Sequence, residues 1–512
     1  MSSLARLSVT TAVLVSLFPL IATTQTTQPA TIKVTTRIVV LDVVVTDKKG
    51  NLIHHDLTAD DFTILEDKQT QTIRSFEPPS QHQLPASDKA VVNSAADLKK
   101  IGDAPVTLLV LDELNSRFED MSFSRQMMIK YLEAQAPILK QPTAMMIATN
   151  STFQQVHDYT QNRDELIEVV KKRMPEYPWR MMNSGRSGPG SVERMAQVMA
   201  ALQQIAQASS GTPGRKNLIW VGNGFPSANL VGMEQQQADT LEAAMRHCTA
   251  RLLAARITMY SINPTAGSTS VIEVDTPDDL NTSLDENGSD PFGGGLVSFT
   301  NFAPSTGGIA FTGRNDLNNV IAESVAKGQD YFTLSYSPSN TSDDPAKFRR
   351  IRIVMKDPTL RATTRDGYYP ETSSDINPVL DKSISTKQVV ANLQLDLSAA
   401  LTTTISYNGL TVAATKSENV YQIHVAESGL RWSDPAPDGS QHAEATVAAG
   451  WYDSKGKLLG HVIREETFPR GDSNSGANFT LPITLANNIV RLRFVVRDAF
   501  SGHMGTADVT KF

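Results

Sequence analysis

The chain has 512 residues, 40% of them apolar, with 47 Lys and Arg against 54 Asp and Glu for a net charge of -7. At ~100–200 residues per domain this supports roughly three domains with proper cores, and a Gly count of 30 with 26 Pro excludes a collagen-like or globally disordered chain. The mildly acidic balance, the lack of a Lys/Arg block and the 6% aromatic content argue against nucleic acid as a partner.

Arg6 followed by the uncharged apolar run LSVTTAVLVSLFPLIA (7–22) and a small polar stretch predicts a signal peptide over 1–24, hence an exported protein of the periplasm or exterior. The run is shorter than a membrane span and contains Pro19, so no membrane insertion is expected after its removal. Cys248 is the only cysteine, which excludes an intramolecular disulfide, a Cys-based zinc site and a lipid-modified Cys after the leader. Within a helix-like run it reads as a buried small hydrophobe.

Residues 33–80 contain short β-branched and alternating runs, TRIVVLDVVVTD, FTILED and TQTIRSFE, separated by polar turns. They predict an N-terminal β module of immunoglobulin-like type, followed by a polar linker over 81–104. From 105 to 340 apolar strands alternate with helical periods, the pattern of an α/β doubly wound, mostly parallel sheet. PVTLLVLDELNS, TAMMIAT, KNLIWVGNG and RITMYSINP read as central strands, TFQQVHDYT as an edge strand and DYFTLSYSP as the last. NRDELIEVVKKRM opens on Asn and acidic residues and closes on Lys and Arg, matching the helix dipole. The stretch 265–295 is Gly-, Ser- and Asp-rich without apolar period and reads as a long loop. Its DENGSD segment (285–290) lacks the register of a calcium loop. A β extension is expected over 341–370 and a C-terminal β-sandwich-like domain over 380–512, with VVANLQLDLS as its first strand.

No phosphate-binding glycine loop, His-Glu-x-x-His or Gly-x-Ser-x-Gly is present, and the nine His are scattered, which points away from common catalytic machinery. The Gly-Asp-Ser at 471–473 sits in a polar turn without a protease context. What remains is the carboxyl edge of the sheet, where open α/β sheets bind ligands. There Asp112 ends the first buried strand, with Asn115 and Ser116 directly after it.

In order, LLVLDELNS, PGRKNLIWVGNGFP, ITMYSINP, STGGIAFTGRNDL and YFTLSYSPSN resemble a von Willebrand factor A domain. They resemble in particular the divergent A-related domain of acidobacterial exported proteins, over roughly residues 33–370. The resemblance implies a Rossmann-like fold and a metal-ion-dependent adhesion site in which Mg²⁺ takes oxygen ligands and an acidic partner residue completes the shell. Matched position by position, the site is degenerate. Asp112 and Ser116 stand at ligand positions, Leu114 replaces the first Ser, and Asn223 replaces the strand-end Asp. Ser187 and Ser191 are alternatives for the Thr position. The metal set implied is thus Asp112, Ser116 and Asn223.

The expected function is a non-enzymatic, exported protein-binding or adhesion module whose partner is an unidentified protein or cell-surface component. A metal-free structural or assembly scaffold of the bacterial envelope is the alternative. A hydrolase using Asp112 and Glu113 as paired carboxylates is the least favoured, since adjacent residues on an extended segment point apart.

Overall fold

The β-branched run Val39–Asp47 forms strand β1, followed by β2 (Phe62–Glu66), β3 (Gln69–Gln71) and β4 (Ile73–Glu77). β2 and β3 turn at Asp67 and Lys68, both at positive φ (48° and 68°), the backbone a two-residue hairpin requires. The structure is a computed structural model. It describes residues 38–510 apart from 54–55, 85–88, 150–152, 173–188, 226, 230–232, 265–295, 341–343, 345–346, 371–385, 418–419, 471–475 and 484–487.

The strand and helix alternation comes next. It comprises β5 (Val106–Asp112), α1 (Phe118–Glu133), β6 (Ile138–Ala148), β7 (Phe153–Asn162), α2 (Arg163–Lys172), α3 (Pro189–Ala208) and β8 (Lys216–Val221). The two-residue β9 (Ala228–Asn229), α4 (Gln235–Ala254), β10 (Ile257–Ile262), β11 (Leu296–Val297), the single turn α5 (Phe302–Ser305), β12 (Ala310–Phe311) and α6 (Leu317–Gln329) complete it. Six of these strands form one sheet in the order β12-β10-β8-β5-β6-β7, parallel except for β7 at its edge. β5, β8 and β10 are buried at every residue because apolar helix stripes cover both faces. Leu202 of α3 with Cys248 and Leu252 of α4 pack on one, and Met128 and Leu132 of α1 with Val320 and Ile321 of α6 on the other. The 81–104 connector adds Val92 and Leu98 to the first of these cores.

β13 (Phe332–Tyr336), β14 (Arg349–Met355), β15 (Leu360–Thr363) and β16 (Gly367–Tyr368) return to the N-terminal strands. They build the antiparallel sheets β15-β1-β13-β4 and β16-β14-β2-β3. Beyond them α7 (Thr386–Thr402) precedes β17 (Val412–Ser417), β18 (Val420–Val425), β19 (His442–Tyr452), β20 (Leu458–Pro469), β21 (Ala477–Pro482), β22 (Arg491–Asp498) and β23 (Met504–Val509). These form the sheets β17-β18-β21 and β20-β19-β22-β23, which share a core around Tyr421, Ile423, Val447 and Phe494.

This arrangement overturns the expected α/β doubly wound, mostly parallel, von Willebrand factor A-like architecture flanked by separate β modules. Among the described residues only four of the 17 strand pairings are parallel, all within the six-stranded mixed sheet, and the other five sheets are antiparallel throughout. The chain is mostly antiparallel β structure. Strand and helix alternation is a local signal, whereas the pairing that defines the N-terminal sheets joins Val39 to Tyr336 and Ile64 to Ile353. DYFTLSYSP, expected as the last strand of the α/β run, instead forms β13 between β1 and β4.

A second correction falls on VVANLQLDLS, expected as a strand and found in α7. Leu393, Leu397, Ala400 and Leu401 make an i, i+4, i+7, i+8 stripe that packs on Ala448 of β19 and Val495 of β22. The small side chains of ATVAAG let the helix approach that sheet. Arg493 of β22, 1% exposed, donates to the carbonyls of Ala400 (3.2 Å) and Ile405 (3.1 Å), capping the helix end, where carbonyls lack intrahelical partners.

Candidate functional site at the crest of the mixed sheet

β5 ends at Asp112 because its carboxylate turns the chain. Oδ1 accepts from the backbone N–H groups of Leu114 (2.9 Å) and Asn115 (3.0 Å), an Asx-type turn. Oδ2 accepts from Gly224 N (2.7 Å) and Trp220 Nε1 (3.2 Å), so one carboxylate bolts the end of β5 to the loop after β8. Asn223 N donates weakly to Ser116 Oγ (3.4 Å), and Asn223 Nδ2 donates to Asn115 O (3.1 Å). The three metal-set residues expected from sequence, Asp112, Ser116 and Asn223, are therefore brought together. Ser187 lies outside the described residues, and Ser191 falls in the first turn of α3. The 265–295 loop, the leader and Gly471-Asp472-Ser473 also lie outside them.

Two glycines make this contact. Gly222 has φ 146° and Gly224 has φ 64°, and a Cβ on Gly222 would sit 2.3 Å from Asp112 Cβ. A Cβ on Gly224 would sit 2.1 Å from the Phe299 ring. Phe299 packs against Trp220 and Phe225, each with ring centroids 5.3 Å apart, and roofs the crest. Asp112 is 0% exposed, Ser116 1% and Leu114 3%. Burial pushes the Asp112 carboxyl up to about 6, against the opposing pull of the N–H groups of Asn115, Trp220, Gly224 and Leu114.

A hard divalent cation needs converging oxygen lone pairs. Around Asp112 the converging atoms are N–H hydrogens, Asn223 turns its amide N–H to a carbonyl, and Leu114 is aliphatic. These residues do not fit Mg²⁺. Nor do Asp112 and Glu113 form a working acid/base pair, because Asp112 is fully engaged by donors and Glu113 is 1% exposed, its backbone N–H bonded to Ala148 O (2.8 Å).

At the opposite, amino-terminal edge of the mixed sheet lies a buried polar cluster that sequence reading missed. Asp42 of β1 accepts from Arg256 Nη2 (2.6 Å) and from Thr333 Oγ1 (3.3 Å). Burial raises its carboxyl, but Arg256, Arg215 and His82 outweigh that and hold it below its usual value. Arg215 donates to Tyr260 OH (3.1 Å) and lies over the Tyr331 ring. Burial, with Arg256 nearby, pushes the Lys216 ammonium down to about 7. A signal was present: Asp42 interrupts an apolar run, and Arg215, Lys216 and Asn217 open a buried strand.

His82, 0% exposed, stacks on Tyr331 at 4.7 Å. With Glu77 and Asp103 it gives three ligand atoms within 4.8 Å of one another. Nδ1 faces Asp103 Oδ2 (3.2 Å), while Nε2 faces Thr333 Oγ1 (3.2 Å) and Glu77 Oε2 (3.6 Å). The two carboxylates thus address different ring nitrogens, which suits a ring hydrogen-bonded at both ends better than a metal taking one nitrogen. Burial pushes the Cys248 thiol up to about 12, leaving it protonated and inert at neutral pH. A cleft of about 30 Å³ beside Asp42 and Arg256 has room for a water and little more.

No family model matches the chain, and no curated protein matches it. Among solved structures it is similar to proximal thread matrix protein 1 from the mussel byssus, at 10% identity and a TM-score of 0.24, covering 44% of this chain and 48% of that one. It is also similar to human COPII-coat protein Sec24c (10% identity, TM-score 0.25, covering 59% and 50%) and to hypothetical protein PH1083 from Pyrococcus horikoshii OT3 (11%, 0.14, 20% and 87%). The chain spans about half the length of the first two. Likenesses at these TM-scores carry no argument about this chain. Among the described residues no helix is long and apolar enough to cross a membrane.

Proposed function

We propose that this chain is a non-enzymatic protein-binding scaffold, exported as its apolar leader implies, that meets its partners through its β surfaces and without a metal ion. The observation that carries the reading is the state of Asp112. Both carboxylate oxygens are taken by four N–H donors beneath the Phe299 roof, which makes the residue a structural bolt at the position where the motif resemblance implies a ligand for Mg²⁺. The motif resemblance to von Willebrand factor A-related proteins favours binding over catalysis, and the absence of common catalytic motifs in the sequence points the same way. The partner class is a protein or cell-surface component of the envelope.

The test is retention of envelope proteins by the immobilised full chain, once with Mg²⁺ and once with EDTA. Equal retention is the expected result. Retention lost in EDTA overturns the metal-free mode, and no retention in either buffer overturns the binding role.

A further inference from the structure

We propose that two copies of this chain pair edge to edge through β20, joining their four-stranded sheets into one continuous sheet about a two-fold axis at Ile463. The proposal names a partner for the protein-binding reading and rests on that reading for its biological use.

β20 is a 12-residue strand that, among the described residues, pairs on one side only, with β19, and so forms the edge of the sheet β20-β19-β22-β23. Its outer backbone N–H and C=O groups are a template for another strand. Natural edges are blunted by shortness, by a central Pro or by charges. β20 is long, and its Pro is the last residue, Pro469. Leu459 (40% exposed) and Ile463 (41%) stand on its solvent-facing side, two of the seven large apolar side chains exposed among the described residues. The charged stretch Arg464, Glu465 and Glu466 opposes pairing unless the register matches it.

Symmetry restricts that register, and the pairing of opposite polarity across the junction selects within it. A two-fold axis normal to the sheet keeps each face continuous across the junction, so opposed residues share parity and the axis passes through a residue. An axis at Arg464 or Glu465 sets like charges against each other. An axis at Ile463 sets Ile463 against its own copy, His461 against the partner's Glu465, and Leu459 against the partner's Thr467. It also sets Val462 against the partner's Arg464, and it uses the strand from 458 to 468. His461, Ile463 and Glu465 are all exposed, so replacing them leaves the core untouched.

Sedimentation equilibrium of the full chain in EDTA tests the proposal. The wild type is expected to be a dimer. Ile463→Lys, which places two ammonium groups on the axis, is expected to weaken it at least about tenfold, with an unfolding temperature equal to the wild type's at concentrations where both are monomeric. His461→Glu is expected to weaken it about tenfold by opposing the partner's Glu465, and adding Glu465→Lys is expected to restore it. A wild type that stays monomeric, or a dimer indifferent to Ile463→Lys, overturns the pairing. His461→Glu without rescue overturns the register. A monomeric wild type that still retains envelope proteins overturns self-pairing and leaves the protein-binding reading standing.

Discussion

Replacing Asp112 with Asn removes the charge from the crest while keeping its shape, and the consequence has a defined sign. In the folded chain the Asp112 carboxyl is raised from 3.8 to about 6, with burial as the first cause. Between those values the folded state holds a proton that the unfolded state has released, so the wild type loses stability as pH climbs from about 4 to about 6. At about 1.36 kcal/mol per pKa unit, a rise of roughly two units corresponds to about 3 kcal/mol. The variant has no such titration. It does have a cost at every pH, because an amide NH₂ must face either the Leu114 and Asn115 donors or the Gly224 and Trp220 donors. Two donors left without an acceptor cost about 2 kcal/mol or more. Urea unfolding followed by circular dichroism from pH 4 to pH 8 separates the two effects, since all other titrating groups cancel in the difference. The variant is expected to be the less stable at pH 4 and to gain about 3 kcal/mol on the wild type by pH 7. A difference that is flat with pH, or one that grows against the variant as pH rises, would mean that burial does not raise the Asp112 carboxyl. The latter is what a carboxylate held ionised for a cation would give.

Two further perturbations probe the same framework. Gly222→Ala, which forces a Cβ to 2.3 Å from Asp112 Cβ at φ 146°, is expected to cost about 3 kcal/mol in the same unfolding assay; a cost under about 1 kcal/mol means that the crest has room. Arg349→Ala strands Glu66, whose carboxylate accepts from Arg349 Nη1 (3.2 Å), Tyr336 OH (2.6 Å) and Tyr368 OH (3.0 Å) with both ionic side chains at most 2% exposed. Leaving that charge without its cation is expected to cost about 3–5 kcal/mol by urea unfolding, and an effect near zero contradicts the burial.

Legibility in the sequence tracked the range of the forces involved. β5, β8 and β10 were readable because burial on both faces demands continuous apolar runs. α7 was misread because VVANLQLDLS carries β-branched residues and a two-residue alternation. Its i, i+4, i+7, i+8 stripe becomes decisive only against the Ala-rich face of β19. The pairing of β1 with β13 and of β2 with β14 has no local signature, so the N-terminal strands looked like a module of their own. At the crest the sequence identified Asp112, Ser116 and Asn223 as neighbours. Their chemistry depends on which atoms converge, and two left-handed glycines of VGNGFP help set that: Gly224 gives its N–H to the carboxylate, and Gly222, lacking a Cβ, leaves room for Asp112. The buried cluster around Asp42, Arg256 and His82 joins β1, the start of β10 and the 81–104 connector, segments that no motif unites.

As an internal bolt Asp112 has no lone pair to offer a cation, which thermal unfolding of the full chain in EDTA against saturating Mg²⁺ or Mn²⁺ tests. A cation bound at a hundred times its Kd stabilises the fold by about 2.7 kcal/mol, well within reach of the measurement. The unfolding temperature is expected to be the same in all three conditions; a rise with either metal that Asp112→Asn abolishes would make Asp112 a metal ligand instead.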